Sequence, residues 1–154
     1  FKQLYSLLES RTLEVDKEIQ NILDLKTNNT GDLDYQYQLA LSSQSGFHDS
    51  IQQLNKSVDE LPLLSFADVA SIKSDLYSGS SSIRGAYDSL VLRIKYMREA
   101  AYSQPPYGDP TDLINKSRSF NDDWYNKSKA SNSSFLSAHY KYIAITKQYT
   151  DQCH

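Results

Sequence analysis

The chain has 154 residues, of which 39% are hydrophobic and 23% charged, with a net charge of −3 and a pI near 5.5. This length suffices for one domain with a buried core, and the weak negative charge excludes the dense basic face expected of a nucleic-acid-binding protein. Cys153 is the single cysteine, which excludes a disulfide within the chain and a cysteine metal cluster.

Apolar residues recur every three or four positions along most of the chain, the spacing typical of helices that bury one face. The first predicted helix covers residues 2–26 and ends at residues 28–31, where Gly31 suits the left-handed position after a helix. Its apolar stripe consists of Leu4, Leu8, Val15, Ile19 and Ile22. The second predicted helix covers residues 34–60, with Asp32 or Asp34 as its N-cap and Pro62 after its end.

The third predicted helix covers residues 66–102, and the fourth covers residues 110–150. All four prolines fall in the two joints after the second and third helices, and Asp109 followed by Pro110 is a strong helix start. The serine-rich stretch at residues 78–82 has the composition of a linker, yet the apolar stripe passes through it in phase. A kinked but continuous helix is therefore favoured there over a break into two helices.

These elements predict an all-α, up-down-up-down antiparallel four-helix bundle with both termini at one end. If residues are paired outward from each joint between antiparallel helices, the start of the second helix lies level with Leu92 of the third. The hairpin of the third and fourth helices is therefore expected to project past the other pair by about 15 Å. Because the chain begins inside an apparent helix, we interpret residues 1–154 as one helical domain from a longer protein.

The projecting tip is predicted to be a contact surface, because it carries excess positive charge with tyrosines among the charges. Its candidate binding residues are Arg93, Tyr96, Arg98, Tyr102, Tyr107 and Arg118. Below the tip, the register places Tyr87 near Trp124, and Arg84 and Arg118 would hold an anionic ligand against that aromatic wall. The alternative is that each arginine covers an apolar ring.

Four polar residues, Gln44, Ser80, Ser117 and Ser131, occupy positions on the apolar stripe. Two interpretations stay open: they fix the register between helices, or they line a polar pocket. Five Asn-x-Ser/Thr sequons at Asn28, Asn55, Asn115, Asn126 and Asn132 leave open whether the chain is glycosylated.

No motif for catalysis, a metal or a cofactor is found in the sequence. The histidines His48, His139 and His154 lack the glutamate spacing of a di-iron bundle, and neither a P-loop nor a Gly-x-Ser-x-Gly elbow occurs. The adjacent carboxylates Asp122 and Asp123 would point about 100° apart on a helix. The sequence therefore predicts a protein that is not an enzyme and has no metal and no cofactor.

The surface is polar but poor in charge, which slightly favours the extracytoplasmic side of a membrane over the cytoplasm; AT-rich codon usage is the competing explanation. No run approaches the ~20 apolar residues of a membrane span, so any membrane contact is expected only through segments outside this chain. The predicted architecture resembles the four-helix sensor bundles of bacterial chemoreceptors and sensor kinases. The resemblance implies a ligand- or partner-sensing receptor domain, with a homodimer contact through Leu7 and Leu23. The alternative is an intracellular scaffold, tether or trafficking module that binds a protein partner through its tip.

Overall fold

The computed structural model describes residues 30–60, 67–103 and 108–152, and these residues form three helices and no strand. Helix α1 is Thr30–Asp59, α2 is Ala67–Tyr102 and α3 is Thr111–Gln152. They correspond to the second, third and fourth predicted helices. The all-α prediction is confirmed for this part of the chain. The first predicted helix at residues 2–26 lies outside the described residues, so only three of the four predicted helices are seen.

Helix α2 lies between the other two helices. It packs against both α1 and α3, whereas α1 and α3 make few contacts with each other. The reason is visible in the burial pattern, because α1 buries one narrow stripe while α2 also buries adjacent positions such as Ala86 with Tyr87 and Leu90 with Val91. A helix that is apolar on more than one side is stabilised by a neighbour on each of them.

The interface between α1 and α2 is built around an aromatic stack. Tyr87 is fully buried, and its ring lies 4.4 Å from that of Phe47, centroid to centroid. The Tyr87 hydroxyl donates a hydrogen bond to the Ala40 carbonyl at 3.3 Å. On the other side of α2, Trp124 and Phe135 of α3 are partly buried against the same core.

The seam between α2 and α3 is formed by small and polar residues. Ser131 Oγ donates to the Gly79 carbonyl at 2.9 Å, and Ser117 Oγ donates to the Arg93 carbonyl at 3.4 Å. A Cβ at Gly79 would lie 2.8 Å from the ring of Phe135, so the glycine is what permits this approach. The serine-rich stretch at residues 78–82 is helical throughout, so the alternative of a break there is wrong.

The predicted projection of the α2–α3 hairpin is also wrong. Asp34 of α1 forms an ion pair with Arg98 and accepts a hydrogen bond from Tyr102, so α1 runs beside α2 as far as its last turn. The prediction failed mainly in the axial register, because Asp34, expected level with Leu92, pairs with Arg98 further along α2. In addition, α1 begins at Thr30, about one turn earlier than expected, with Gly31 inside the helix. Asp34 binds another helix and does not cap its own.

The predicted start of α3 is confirmed by its capping contacts. The Asp109 carboxylate accepts hydrogen bonds from the Thr111 backbone N–H at 2.9 Å and from the Thr111 hydroxyl at 2.6 Å. These two bonds lower the pKa of Asp109, as expected for a carboxylate that satisfies a free N–H group in the first turn of a helix.

Candidate functional site

An open groove of about 650 Å³ lies between the C-terminal third of α2 and the first turns of α3. Its lining residues are Arg93, Met97, Ala100 and Ala101 from α2, and Ile114, Ser117, Arg118, Asn121 and Asp122 from α3. The groove exists because alanine and serine occupy positions where larger side chains would fill the space between the helices. Its volume is within the range of about 300–1,000 Å³ typical of small-molecule sites.

Two arginines give the groove its charge. Arg93 is half-buried and Arg118 is exposed, and the bond from Ser117 to the Arg93 carbonyl places both at the same level of the helix pair. Within the described residues, neither guanidinium has an ion pair or a hydrogen bond. Asp122 is the one carboxylate among the lining residues, so the groove is net positive on an acidic protein.

The remaining lining is largely apolar. Met97, Ala100, Ala101 and Ile114 provide hydrocarbon surface, while Ser117 and Asn121 provide hydrogen-bonding groups. An apolar wall with a few convergent polar groups is the usual composition of a ligand site, since the polar groups orient what the apolar surface retains.

Among the predicted tip residues, Arg98 and Tyr102 join α1 to α2. The Arg98 guanidinium pairs with Asp34 and lies over the rings of Tyr37 and Tyr102, at 5.7 and 5.5 Å from their centroids. Hydrogen bonds from Tyr102 and Arg98 lower the pKa of Asp34. These groups are occupied by contacts within the protein, and they lie apart from the groove. Tyr107 lies outside the described residues.

Tyr96 belongs to the α2–α3 seam. Its ring stacks on Phe120 with centroids 5.6 Å apart and an angle of 6° between the planes. The ammonium groups of Lys95 and Lys116 lie 5.6 and 5.5 Å from the ring centroid. One face of the Tyr96 ring is therefore covered by α3 in the contact between the two helices.

Tyr87 lies in the core, where a surface ligand does not reach it, so it does not offer a ligand the predicted aromatic wall. Trp124 packs against the same core. Trp124 is half-buried, and its buried Nε1 has no hydrogen-bond partner among the described residues. It lies three residues after Asn121, next to the groove along α3. Arg84 is exposed and has no ion pair in the described part of the chain.

Two ionic clusters join α2 to α3 along the seam. Asp123 accepts hydrogen bonds from Lys127 at 2.6 Å and from Ser89 at 2.5 Å, and these bonds lower its pKa. Burial raises the pKa of Asp75, but bonds from Lys141 and Ser137 outweigh it and lower the pKa overall. Ser89 is almost fully buried, so the Ser–Asp–Lys group offers no access to a substrate and holds the helices together.

These clusters predict destabilisation by acid. Because the folded-state pKa of both carboxylates is below the ordinary value of 3.8, the unfolded chain takes up protons first as the pH falls. The stabilisation by these two carboxylates is complete above about pH 5 and is lost as the pH falls through 3.8 and then through the lower folded-state pKa. We expect the melting temperature to drop below pH 4, and Asp123→Asn to flatten that drop. An unchanged pH profile in this variant would contradict the assignment.

The sequence did not identify the apolar wall of the groove. Its signals are the pair of small residues Ala100 and Ala101 together with Ser117 on the apolar stripe, since small residues at facing positions leave space between two helices. Among the described residues, no group of histidine, cysteine, aspartate and glutamate could hold a metal ion. In the same ranges, no helix combines the length and hydropathy required to cross a membrane.

No protein-family model matches this sequence, and no curated protein or solved structure is significantly similar to it. The groove and the surfaces around it are therefore the features from which a function can be inferred.

Proposed function

We propose that this chain is a non-enzymatic helical binding domain that senses an anionic ligand in the α2–α3 groove, as part of a membrane receptor. The observation that carries the proposal is a pair of arginines, Arg93 and Arg118, on an apolar-walled groove between two long helices, neither of which has an ionic partner in the described part of the chain. Because these guanidinium groups are exposed or half-buried and have no carboxylate partner among the described residues, an anionic ligand can form charge-assisted hydrogen bonds with both.

The groove is suited to sensing because its two walls belong to different helices. A ligand that touches Arg93 on α2 and Arg118 on α3 favours one relative position of the two helices over another. Such a shift along long helices is a common way to transmit a signal. The polar, charge-poor surface supports display on the extracytoplasmic side, with membrane spans outside this chain.

The first test is ligand binding with a charge-matched control. We expect the melting temperature to rise in the presence of small organic anions and to stay constant with the corresponding cations. An anion at about a hundred times its Kd stabilises the folded state by about 2.7 kcal/mol. Arg93→Ala and Arg118→Ala should reduce the shift, whereas Arg84→Ala, an exposed arginine on α2 away from the groove, should leave it unchanged. Equal losses in all three variants would indicate a general charge effect and contradict the site.

We also propose that residues 2–26 add a fourth helix that completes the bundle. Their apolar stripe supports this arrangement, as does the position of α1 and α3 on either side of α2 with few contacts between them. We expect Leu8→Asp with Ile19→Asp to lower the melting temperature by several degrees, because charges on the stripe would be buried. Lys17→Asp, on the opposite face of the same predicted helix, is the control. An equal loss of melting temperature in the apolar-stripe variant and in Lys17→Asp would exclude the proposed packing of this helix.

A second candidate function, an intracellular scaffold that binds a protein partner, is favoured by one surface of α3. Tyr125, Leu136, Tyr140 and Ile143 are exposed and share a face of α3, since they are spaced by whole helical turns. An amphipathic helix of a partner would cover this apolar stripe. Leu136→Asp with Ile143→Asp would abolish binding of that partner, whereas the groove variants would not. Retained binding in the stripe variant would exclude this candidate.

A further inference from the structure

We infer that the ligand of the α2–α3 groove is a free amphipathic carboxylate, with an anionic head and a hydrocarbon body. This inference rests on the proposed function and adds the chemical class of the ligand. The groove lining combines two kinds of group. Arg93 and Arg118 supply guanidinium donors, and Met97, Ala101 and Ile114 supply hydrocarbon surface. A ligand that is only ionic would bind the two arginines and leave the apolar side chains exposed to water.

The donor chemistry favours a carboxylate. A guanidinium presents paired N–H donors in a plane, which matches the two oxygens of a carboxylate in a bidentate contact. The donors are available, because neither arginine is engaged by an acid within the described residues. A second arginine on the opposite helix allows a carboxylate to be held from both walls. Asp122, in the same lining, disfavours ligands with a higher negative charge density.

The apolar lining indicates that the body of the ligand contributes to affinity. Four of the nine lining residues are alanine, methionine or isoleucine, and they come from both helices. Burying one methylene group completely contributes about 0.8 kcal/mol. In a groove that is open on one side, about half of this free energy is expected for each methylene group. That corresponds to roughly a twofold gain in affinity.

The test is a calorimetric titration of the folded chain with butanoate, hexanoate and octanoate, each below its micelle concentration. We expect affinity to rise about twofold for each added methylene, and octylammonium to bind at least about tenfold more weakly than octanoate. Arg93→Ala and Arg118→Ala should each weaken octanoate by about fivefold to tenfold. Ala101→Phe should block the groove, and Arg84→Ala should bind like the unmodified chain. A thermal melt of each variant establishes that it is folded.

The other outcomes separate this inference from the function on which it rests. Arginine-dependent binding of acetate or inorganic phosphate, with no gain from chain length, would overturn the amphipathic ligand and leave the groove as an anion site. Binding to oleate in phosphatidylcholine vesicles, without binding of free octanoate, would also overturn it, because the carboxylate would then be presented by a membrane. If no anion binds in an arginine-dependent manner, the inference and the proposed function both fail.

Discussion

Tyr87→Ala is expected to lower the free energy of unfolding by about 3–5 kcal/mol, the usual cost of removing a fully buried aromatic ring. The ring is completely buried, stacks on Phe47 of α1 and lies on the central helix of the three. Its loss opens a cavity at the place where α1 is held to α2, and the surrounding side chains fill such a cavity only in part. Chemical denaturation followed by circular dichroism measures the effect.

Two further tyrosine variants make this result specific. Tyr87→Phe keeps the ring and removes the hydroxyl that bonds to the Ala40 carbonyl, so it should cost about 1 kcal/mol. Tyr125→Ala removes a ring that is 59% exposed and should change stability by no more than about 0.5 kcal/mol. A loss below about 1 kcal/mol for Tyr87→Ala would show that the Tyr87 ring is not part of a packed core.

Gly79→Leu is expected to destabilise the fold by about 2 kcal/mol, although leucine is the better helix former. At Gly79, α3 lies so close to α2 that even a Cβ would be 2.8 Å from the Phe135 ring. The larger side chain must move that ring and lengthen the bond from Ser131 to the Gly79 carbonyl. The cost of overpacking then exceeds the gain in helix propensity.

Gly46 provides the matched control for this substitution. It is also inside a helix, but nothing lies within 4 Å of the position its Cβ would occupy. Gly46→Leu should therefore stabilise the protein by about 0.5–1 kcal/mol through propensity alone. Adding Phe135→Ala should offset part of the cost of Gly79→Leu, and a double-mutant cycle measures that coupling. If both glycine variants stabilise equally, the seam is not closely packed at Gly79.

The helices were predictable because the apolar spacing and the prolines agree on them. The bounds of α2 and α3 match the prediction to within two residues, and Asp109 caps α3 as expected. The start of α1 was missed, because Gly31 was interpreted as the end of a helix. A single glycine is tolerated inside a helix, and the contacts of Asp34 with Arg98 and Tyr102 supply the stabilisation that local propensity does not.

Of the residues that line the groove, the sequence predicts only the two arginines. The excess of positive charge near the joint predicts Arg93 and Arg118 as binding residues, and both line the groove. The same charge pattern predicts Arg98, but the structure pairs Arg98 with Asp34 of α1. The lengths of the joints do not determine how far α1 is shifted along α2, so the sequence does not predict this pair. Sequence spacing identifies which residues share a helix face, whereas pairing across helices depends on their relative shift. That shift decides that Arg98 meets Asp34, whereas Arg93 and Arg118 meet no carboxylate among residues 30–60, 67–103 and 108–152.

The hydrogen bond from Ser117 ends on the backbone carbonyl of Arg93 and leaves the arginine side chain out of the helix contact. Every residue type has that carbonyl, so this hydrogen bond does not depend on which side chain position 93 carries. Selection can therefore alter the chemistry of the groove at this position without rebuilding the scaffold around it. A lineage that retained Ser117 would be free to exchange one ligand preference for another at little cost in stability.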